Sequence, residues 1–535
     1  MMAPAENTWR RAVRVGCTWR GACLLCMALF LAAIARFYIP PTGFSSLIAI
    51  GAKLDSHAVT ALRDVPHYVY EDSWGYDGSY YVQIALHPLL DEPALAGAID
   101  NLPYRAKRIL LSWLAWGLGA GQPEWIVQAY ALLNVVSWLG LATLLWRWFP
   151  PNSLDNFLRW AGVMFSHGVC MSVRDSLADG PSLLLVAVAV MLVEKGRRNA
   201  GTMLLAVATL GKETSLLAVP ALLRGKKKTG WRRAIGLAVR SVLVALPLLA
   251  WMIYVRWRVG PVGDAGLGNF ALPLTGWLGK WSDTVADLRR PGFSWSHLAT
   301  LLAVIALTVQ CAFVGLRWRP TEIWWRVGAP FAALLVLLGQ PVWEGAPGAV
   351  FRVLLPLTLA FNVLVPRGRR WLPLLLVGNL SVMTGLAELS PPDQYYRLHG
   401  RHADIAALRV EMRGWHQGES KAGRCWRWSA SESSLVLTNR GTTPLAVHFS
   451  GWGRAVDARR ITAAFDGREV WQGALAPRVT PVDLGSVLIQ PGEHVLAFTS
   501  ERPGVKPSLE DRRTLSFALY DLEVAVTPAG GQSPP

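Results

Sequence analysis

The chain has 535 residues, of which 52% are hydrophobic and only 17% are charged, and its formal net charge is +17. A soluble protein of this length carries nearer a quarter charged residues. Apolar runs of roughly 17–25 residues, each long enough to cross a bilayer, recur between positions 21 and 389. The composition excludes an ordinary soluble globular protein and predicts a polytopic membrane protein.

The basic residues lie in short blocks between the apolar runs. These blocks are Arg10–Arg11, Lys195–Arg198, Lys226–Lys228 with Arg232–Arg233, Arg317–Arg326 and Arg367–Arg370. Cytoplasmic loops of membrane proteins carry such an excess of Lys and Arg. The positive charge therefore indicates cytoplasmic loops and membrane lipids as neighbours, and it argues against nucleic acid as a partner.

Placing the basic blocks in the cytoplasm gives a membrane all-α domain over 1–390 with about eleven transmembrane helices. The first span is predicted at 21–38, and a large outer loop follows over 38–124, with a short amphipathic or half-inserted helix at 108–119. Later spans are predicted at 125–146, 157–173, 180–193, 200–211, 215–223, 234–255, 298–316, 327–342, 349–365 and 371–388. This path leaves the N-terminus in the cytoplasm and the C-terminal domain outside.

The sequence changes character near residue 390. Short β-type runs follow, including Ser434–Thr438, Leu445–Phe449 and Val495–Thr499. Asp466–Gly467 lies between two such runs, which is a strong hairpin signal. Several short strands at this spacing predict an exported all-β sandwich domain over 395–527. Residues 528–535 are predicted to be a disordered tail.

Charged residues lie at the outer ends of several predicted spans. Polar groups at membrane depth are costly, so those that occur at helix ends are candidates for function. The predicted topology places on the outer side Asp77, Arg105, Arg108, Arg174, Asp175, Asp179, Lys212, Glu213, Glu344 and Arg352. A transporter would more naturally place such charges in mid-helix, around a site at the bilayer midplane. The pattern favours chemistry at the outer surface.

Five motifs in this set resemble those of a known family. They are Gly75–Tyr81, Tyr104–Leu111, Arg174–Asp179, Leu210–Leu217 and Phe351–Leu357. Together, over about residues 20–365, they resemble the signatures of bacterial polytopic glycosyltransferases with the GT-C fold. Ser79 stands where an amide side chain is common in that pattern, and Ser112 stands where a proline is common.

The resemblance implies an inverting transfer of a sugar from a polyprenyl-phosphate carrier to a glycan, lipid or protein acceptor, at the outer face of the bacterial inner membrane. It implies that Asp77 is the catalytic base, because a carboxylate within hydrogen-bond reach can deprotonate an acceptor hydroxyl. Arginines can hold a leaving phosphate by paired hydrogen bonds. The substrate-binding residues that it implies are Tyr76, Arg105, Arg108, Arg174, Asp175, Asp179, Lys212, Glu213 and Arg352.

Each of these assignments has an alternative. Asp77 can be a simple turn residue, and Asp55, Glu71 and Asp72 are rival bases in the same loop. The arginines can act as interfacial anchors. At the level of the whole protein, the rivals are a transporter or flippase of a lipid-linked saccharide and a non-catalytic partner in polysaccharide assembly.

No cofactor is predicted, and no divalent metal is expected to be needed. The basic groups around Asp77 can neutralise a phosphate by themselves. Asp175 with Asp179 is the best alternative site for Mg²⁺ or Mn²⁺, because these hard cations prefer oxygen ligands. The tryptophans of the tail, Trp426, Trp428, Trp452 and Trp471, are expected to pack in its core, with stacking on sugars as the alternative.

Overall fold

The computed structural model describes residues 18–223, 231–261, 266–290, 294–508 and 511–529, and within these it omits the side chains of 232–234. The basic blocks at 10–11 and 226–228, the side chains of the block at 232–233 and the predicted tail beyond residue 529 lie outside this description. The chain forms a helical N-terminal region and a C-terminal β domain. The predicted change from helices to strands near residue 390 is therefore confirmed.

Within the described residues, the first helix is α1 (Trp19–Ala35). Short helices fill the predicted outer loop. These are α2 (Ala52–Asp55), α3 (Thr60–Arg63), α4 (Asp77–Leu86), α5 (Leu95–Ala98), α6 (Leu102–Ala106) and α7 (Leu110–Leu118), with a 3₁₀ turn at Ser45–Ile48. Helix α7 is the short helix predicted at 108–119. It buries Leu111 and exposes Trp113, Leu114 and Trp116. An apolar outward face suits a helix that lies in a membrane interface.

The remaining helices run from Pro123 to Ala387. They are α8 (Pro123–Leu144), α9 (Leu154–Met164), α10 (His167–Arg174), α11 (Asp179–Glu194), α12 (Arg198–Gly211), α13 (Trp231–Val259), α14 (Thr275–Arg289), α15 (Trp295–Leu316), α16 (Ile323–Leu337), α17 (Gln340–Trp343), α18 (Val350–Val353), α19 (Leu355–Leu364), α20 (Leu372–Val377) and α21 (Val382–Ala387). Four 3₁₀ segments lie among them, at Leu145–Arg147, Glu213–Leu222, Leu267–Asn269 and Arg369–Trp371.

In the described part of the chain, three helical segments are long and apolar enough to cross a membrane. They are Pro123–Arg147, Ile235–Val259 and Trp295–Leu316. Shorter apolar helices lie at Trp19–Ala35, Glu213–Leu222, Ile323–Leu337 and Leu355–Leu364. Helix α13 exposes Val242, Leu246 and Ile253, and such an apolar surface fits contact with lipid. The larger number of about eleven spans stays a prediction.

Several spans that hydropathy predicts as continuous are interrupted. The span at 157–173 is two helices, and Ser166 at their junction donates its hydroxyl to the Val163 carbonyl at 2.8 Å. The span at 371–388 breaks near Asn379, whose side chain exchanges hydrogen bonds of 2.9 and 3.0 Å with Asn362. The span at 215–223 is a 3₁₀ segment that contains Pro220, which lacks an N–H for an α-helical bond. Buried polar partners let a helix end in apolar surroundings, and a hydropathy average does not detect them.

The described residues of the β domain form ten strands and one short helix, α22 (His402–Ala407). The strands are β1 (Tyr396–Gly400), β2 (Leu408–Trp415), β3 (Glu419–Lys421), β4 (Arg424–Asn439), β5 (Leu445–Ala455), β6 (Arg459–Phe465), β7 (Arg468–Leu475), β8 (Thr480–Ile489), β9 (Gly492–Ser500) and β10 (Phe517–Pro528). Their order in the sheet is β7-β6-β9-β4-β10-β5-β8. All pairs along this path are antiparallel, whereas β1 joins β10 in parallel.

The core and the turns of this domain follow from its sequence pattern. Alternate residues such as Leu435 and Leu437 of β4 point into the core with Phe498 of β9, as expected for strands with one buried face. Asp466 and Gly467 join β6 to β7 with φ angles of 48° and 82°. Positive φ at both central residues is the requirement of a tight hairpin turn, so the predicted hairpin is confirmed.

Candidate functional site

Asp77 is the first residue of α4, and the two flanking glycines fix its position. Gly75 has φ +84°, and a Cβ on it would lie 2.6 Å from the backbone nitrogen of Gly51. A Cβ on Gly78 would collide with the backbone carbonyl oxygen of Asp175. Glycine is required where backbones approach this closely. The backbone on the two sides of Asp77 thus packs tightly, at Gly75 against the 49–51 segment and at Gly78 against the turn that joins α10 to α11.

Replacement of Gly78 by alanine is expected to destabilise the protein by about 1–3 kcal/mol, as overpacking of a tight contact does. The colliding atom is backbone, so no side chain can move aside to relieve it. Gly97→Ala is the matched control, because a Cβ there meets no atom within 4 Å. Thermal unfolding of the two variants in detergent would measure the difference, and equal midpoints would contradict the close approach at Gly78.

The carboxylate of Asp77 lies between two guanidinium groups. Oδ1 accepts a hydrogen bond of 2.8 Å from Arg105 Nη1, and Oδ2 accepts one of 2.7 Å from Arg352 Nη2. Burial by itself would raise the pKa of Asp77, but Arg352 and Arg105 outweigh it and hold the pKa below its usual value. The side chain is therefore ionised at neutral pH, and both of its oxygens are occupied by cationic donors.

The ion pairs continue from Asp77 in both directions. Arg105 also binds Asp100 through Nε and Nη2, at 3.0 and 2.8 Å. Arg352 Nη1 donates to Asp179 Oδ2 at 3.1 Å, and Lys212 Nζ donates to the other oxygen of Asp179. We call these residues the charged cluster: Asp100, Arg105, Asp77, Arg352, Asp179 and Lys212. Acids and bases alternate along it, so its formal charge is zero.

Arg108 and Glu213 form a second ion pair. Arg108 donates through Nε and Nη2 to the two oxygens of Glu213, at 2.9 and 2.6 Å. It also donates to the hydroxyls of Tyr81 and Tyr104, at 2.9 and 3.1 Å. Arg108 and Glu213, which were both predicted to bind substrate, are thus paired with each other. Four of the five N–H groups of Arg108 are thus engaged with protein groups.

Arg174, Asp175 and Tyr76, the remaining predicted substrate-binding residues, have contacts of their own near Asp77. Arg174 Nη1 lies 3.8 Å from Asp175 Oδ1 and donates to the carbonyl of Ser46 at 3.2 Å. Burial raises the pKa of Asp175 to about 7, although Arg174 opposes the shift. The Tyr76 ring centroid lies 5.5 Å from the Arg352 guanidinium carbon. Glu344, the remaining outer-face candidate, is exposed.

Asp179, one of the two residues of the predicted alternative metal site, has little free capacity to bind a metal ion. Both oxygens of Asp179 accept hydrogen bonds from cations, Lys212 and Arg352. Over the described ranges, no group of three or more His, Cys, Asp or Glu side chains is placed to hold a metal ion.

The three rival bases of the outer loop face the β domain. Asp55 pairs with Arg409 and with His67, the latter at 2.8 Å. Asp72 binds Arg427 through both carboxylate oxygens, at 2.5 and 3.2 Å, and Glu71 Oε2 lies 3.3 Å from the same guanidinium. The two arginines are more than 350 positions away in sequence, so no local pattern could reveal them. Their contacts join the outer loop to the β domain.

The junction between the outer loop and the β domain is expected to weaken as the pH rises. Burial raises the pKa of Glu71 to about 7 from its usual value of 4.5, and the neighbouring charge of Asp72 adds to the shift, whereas Arg427 opposes it. A carboxyl group whose folded pKa is raised costs stability as the pH climbs from about 4.5 to 7. Glu71→Gln should therefore flatten the fall in unfolding temperature over this window. Identical pH slopes for the variant and the wild type would contradict the assignment.

Asp100 was not among the predicted site residues, and Tyr81 and Tyr104 lay in the predicted motifs without an assigned role. Asp100 lies five positions before Arg105, directly before the cap residue Asn101, whose side chain accepts from the Tyr104 N–H at 3.0 Å. Acidic and amide residues at a helix start are ordinary capping signals, so nothing local distinguishes Asp100 as a partner of the site.

Comparison with known proteins identifies no family. No family model matches the chain, and no curated protein matches it. Solved structures give only partial matches. A family two carbohydrate esterase from Clostridium thermocellum, in complex with cellohexaose, is 12% identical over 24% of this chain and 34% of its own, with a TM-score of 0.16. The Podospora anserina GH26-CBM35 β-(1,4)-mannanase is 10% identical over 24% of this chain and 29% of its own, with a TM-score of 0.16. The chain thus spans about a third of the length of these proteins.

Proposed function

We propose that the chain is an inverting glycosyltransferase that moves a sugar from a polyprenyl-phosphate carrier to a glycan, lipid or protein acceptor. Its helical region would be a GT-C-like membrane domain of about eleven spans, with the N-terminus in the cytoplasm. The β domain would be an exported sandwich on the outer face of a bacterial inner membrane. Asp77 would be the base, and the arginines of the charged cluster would bind the donor phosphate.

The observation that carries the proposal is the pair of guanidinium groups on Asp77. Arg105 and Arg352 each donate to one oxygen of this carboxylate. Both present N–H groups that can bind a phosphate, which arginine recognises by paired hydrogen bonds. A phosphate that takes over these donors would release the carboxylate. The freed Asp77 could then accept the proton of an acceptor hydroxyl while the arginines stabilise the leaving phosphate.

The position of the cluster favours transfer over transport. Asp77 lies at the start of α4 and Asp179 at the start of α11. A flippase also needs a site that opens to the cytoplasm, and transporters form such sites near the middle of broken helices. A reaction on an outward-facing carrier lipid needs only one opening, at the surface where the acceptor arrives.

Purified protein in nanodiscs with labelled polyprenyl-phosphate sugars would test the proposal. We expect the sugar to leave the carrier with inverted anomeric configuration, measured by NMR of the product, and activity to persist in EDTA. Intact donor after long incubation with hexose and pentose donors and a broad acceptor panel would contradict it. Movement of intact donor across proteoliposomes, without cleavage, would support the transport alternative instead.

A further inference from the structure

A cleft of about 420 Å³ lies between the outer loop and the β domain. One wall consists of residues between positions 39 and 73, and the other of residues between 392 and 440. Ion pairs bridge the two walls, Asp72 with Arg427 among them. Clefts of roughly 300–1,000 Å³ at domain junctions are common ligand sites. The chemistry described so far does not use this one.

The lining combines aromatic rings with balanced charge. Four tyrosines contribute to it, Tyr68, Tyr70, Tyr395 and Tyr396. The charged side chains are four carboxylates and four guanidinium groups: Glu71, Asp72, Asp393 and Glu411, with Arg397, Arg409, Arg427 and Arg440. These charges cancel when all eight groups are ionised, and since the pKa of Glu71 lies near 7, the lining carries at most one net positive charge at neutral pH. It is rich in hydrogen-bonding groups.

This combination selects against one ligand of the proposed reaction, because a phosphate would need an excess of cations. A neutral saccharide can form hydrogen bonds with both kinds of charged group, because its hydroxyls can donate to carboxylates and accept from guanidinium groups. The C–H faces of its rings can pack on tyrosine rings, which offer an apolar body with a polar tip.

The cleft adjoins the Asp77 segment through Tyr70. Tyr70 pairs with Gly51 in a short β-bridge, and the neighbouring residue Ile50 pairs in the same way with Gly75. The Tyr70 ring also lies 5.1 Å from the guanidinium carbon of Arg174. One wall of the cleft is therefore part of the backbone frame that positions the proposed base.

We propose that this cleft binds a neutral saccharide of about two sugar units, the size that its volume admits, and so holds the acceptor glycan. The role as acceptor site rests on the proposed function. Saccharide binding does not, because it needs neither donor nor turnover. Failure of the transfer assay would thus contradict the proposed function, whereas failure of the binding assay would contradict saccharide binding in the cleft.

Saturation-transfer NMR on the full-length protein in nanodiscs, without donor, would test binding. The probes are neutral gluco-, manno- and galacto-oligosaccharides of two to four units. Tyr395→Ala removes one ring of the lining and should weaken binding of the best probe about tenfold, as truncation of an aromatic anchor does. Gln417→Trp should block the cleft, because Gln417 is exposed on its rim.

Gln490→Trp is the matched control, since Gln490 is also exposed but lies outside the lining. It should bind the probe as the wild type does. The proposal is overturned if none of the probes binds at millimolar concentration. It is equally overturned if Tyr395→Ala and Gln417→Trp both bind as tightly as Gln490→Trp.

Discussion

Asp77→Asn is expected to lower sugar transfer by about 10²–10⁴-fold, the usual contribution of a general base, while donor binding persists. Asparagine keeps the size of the side chain and one acceptor oxygen but cannot take up the proton. The arginines that would bind the donor phosphate remain in place. Single-turnover rates and binding of a non-transferable donor analogue would separate the two effects.

The same cluster provides the control for this experiment. Asp100→Asn also removes a carboxylate from Arg105 but leaves Asp77 intact, so it should reduce turnover far less. Asp55→Asn, Glu71→Gln and Asp72→Asn remove the rival bases. Near-normal turnover in Asp77→Asn, together with loss of activity in one of these four, would assign the base elsewhere and leave the transferase proposal standing.

Arg352→Met is expected to destabilise the protein by about 3–5 kcal/mol, the usual cost of removing one partner from a buried ion pair. Arg352 joins Asp77 to Asp179 by hydrogen bonds of 2.7 and 3.1 Å, and its side chain is only 11% exposed. Without it, the two carboxylates keep one cationic partner each. Thermal unfolding in detergent would measure the loss.

Arg319→Met serves as the comparison for this variant. Arg319 pairs with Glu322 at 3.1 Å, but both side chains are about a third exposed or more. Pairs of this kind contribute about 0–1 kcal/mol. Arg352→Lys should recover only part of the stability, because a single ammonium group cannot form the two-sided contact of a guanidinium. Equal losses for Arg352→Met and Arg319→Met would show that Arg352 does not hold the cluster together.

The loss of turnover in Asp77→Asn and the loss of stability in Arg352→Met are both expected in the charged cluster, and they have one cause. The charged cluster neutralises each carboxylate with a cation, and a catalyst needs one of those carboxylates to become free. Under the proposed function, the donor phosphate takes over the arginine hydrogen bonds of Asp77 and so frees its carboxylate. Stability and activity are therefore coupled at Arg352 and at Asp77 alike, because each substitution removes one partner from a buried ion pair.

Features that depend on near neighbours in the chain could be predicted from the amino-acid sequence. Apolar runs predicted a helical region, and alternating apolar and polar residues predicted a β domain after residue 390. Asp466–Gly467 predicted a hairpin. Each pattern arises from backbone geometry over a few residues. The charges at helix ends were also visible, because a charged residue next to an apolar run needs no tertiary information to be noticed.

The pairing of the charged side chains could not be predicted in this way, because it depends on how distant segments pack. Asp77 binds one arginine 28 positions away and another 275 positions away, and Asp55 and Asp72 turn to arginines of the β domain. The interrupted helices likewise depend on distant groups, such as Asn362 beside Asn379. The energy of an ion pair or a buried hydrogen bond depends on distance and burial in space. Those quantities are set by how the helices and the β domain pack, which spacing along the chain does not specify.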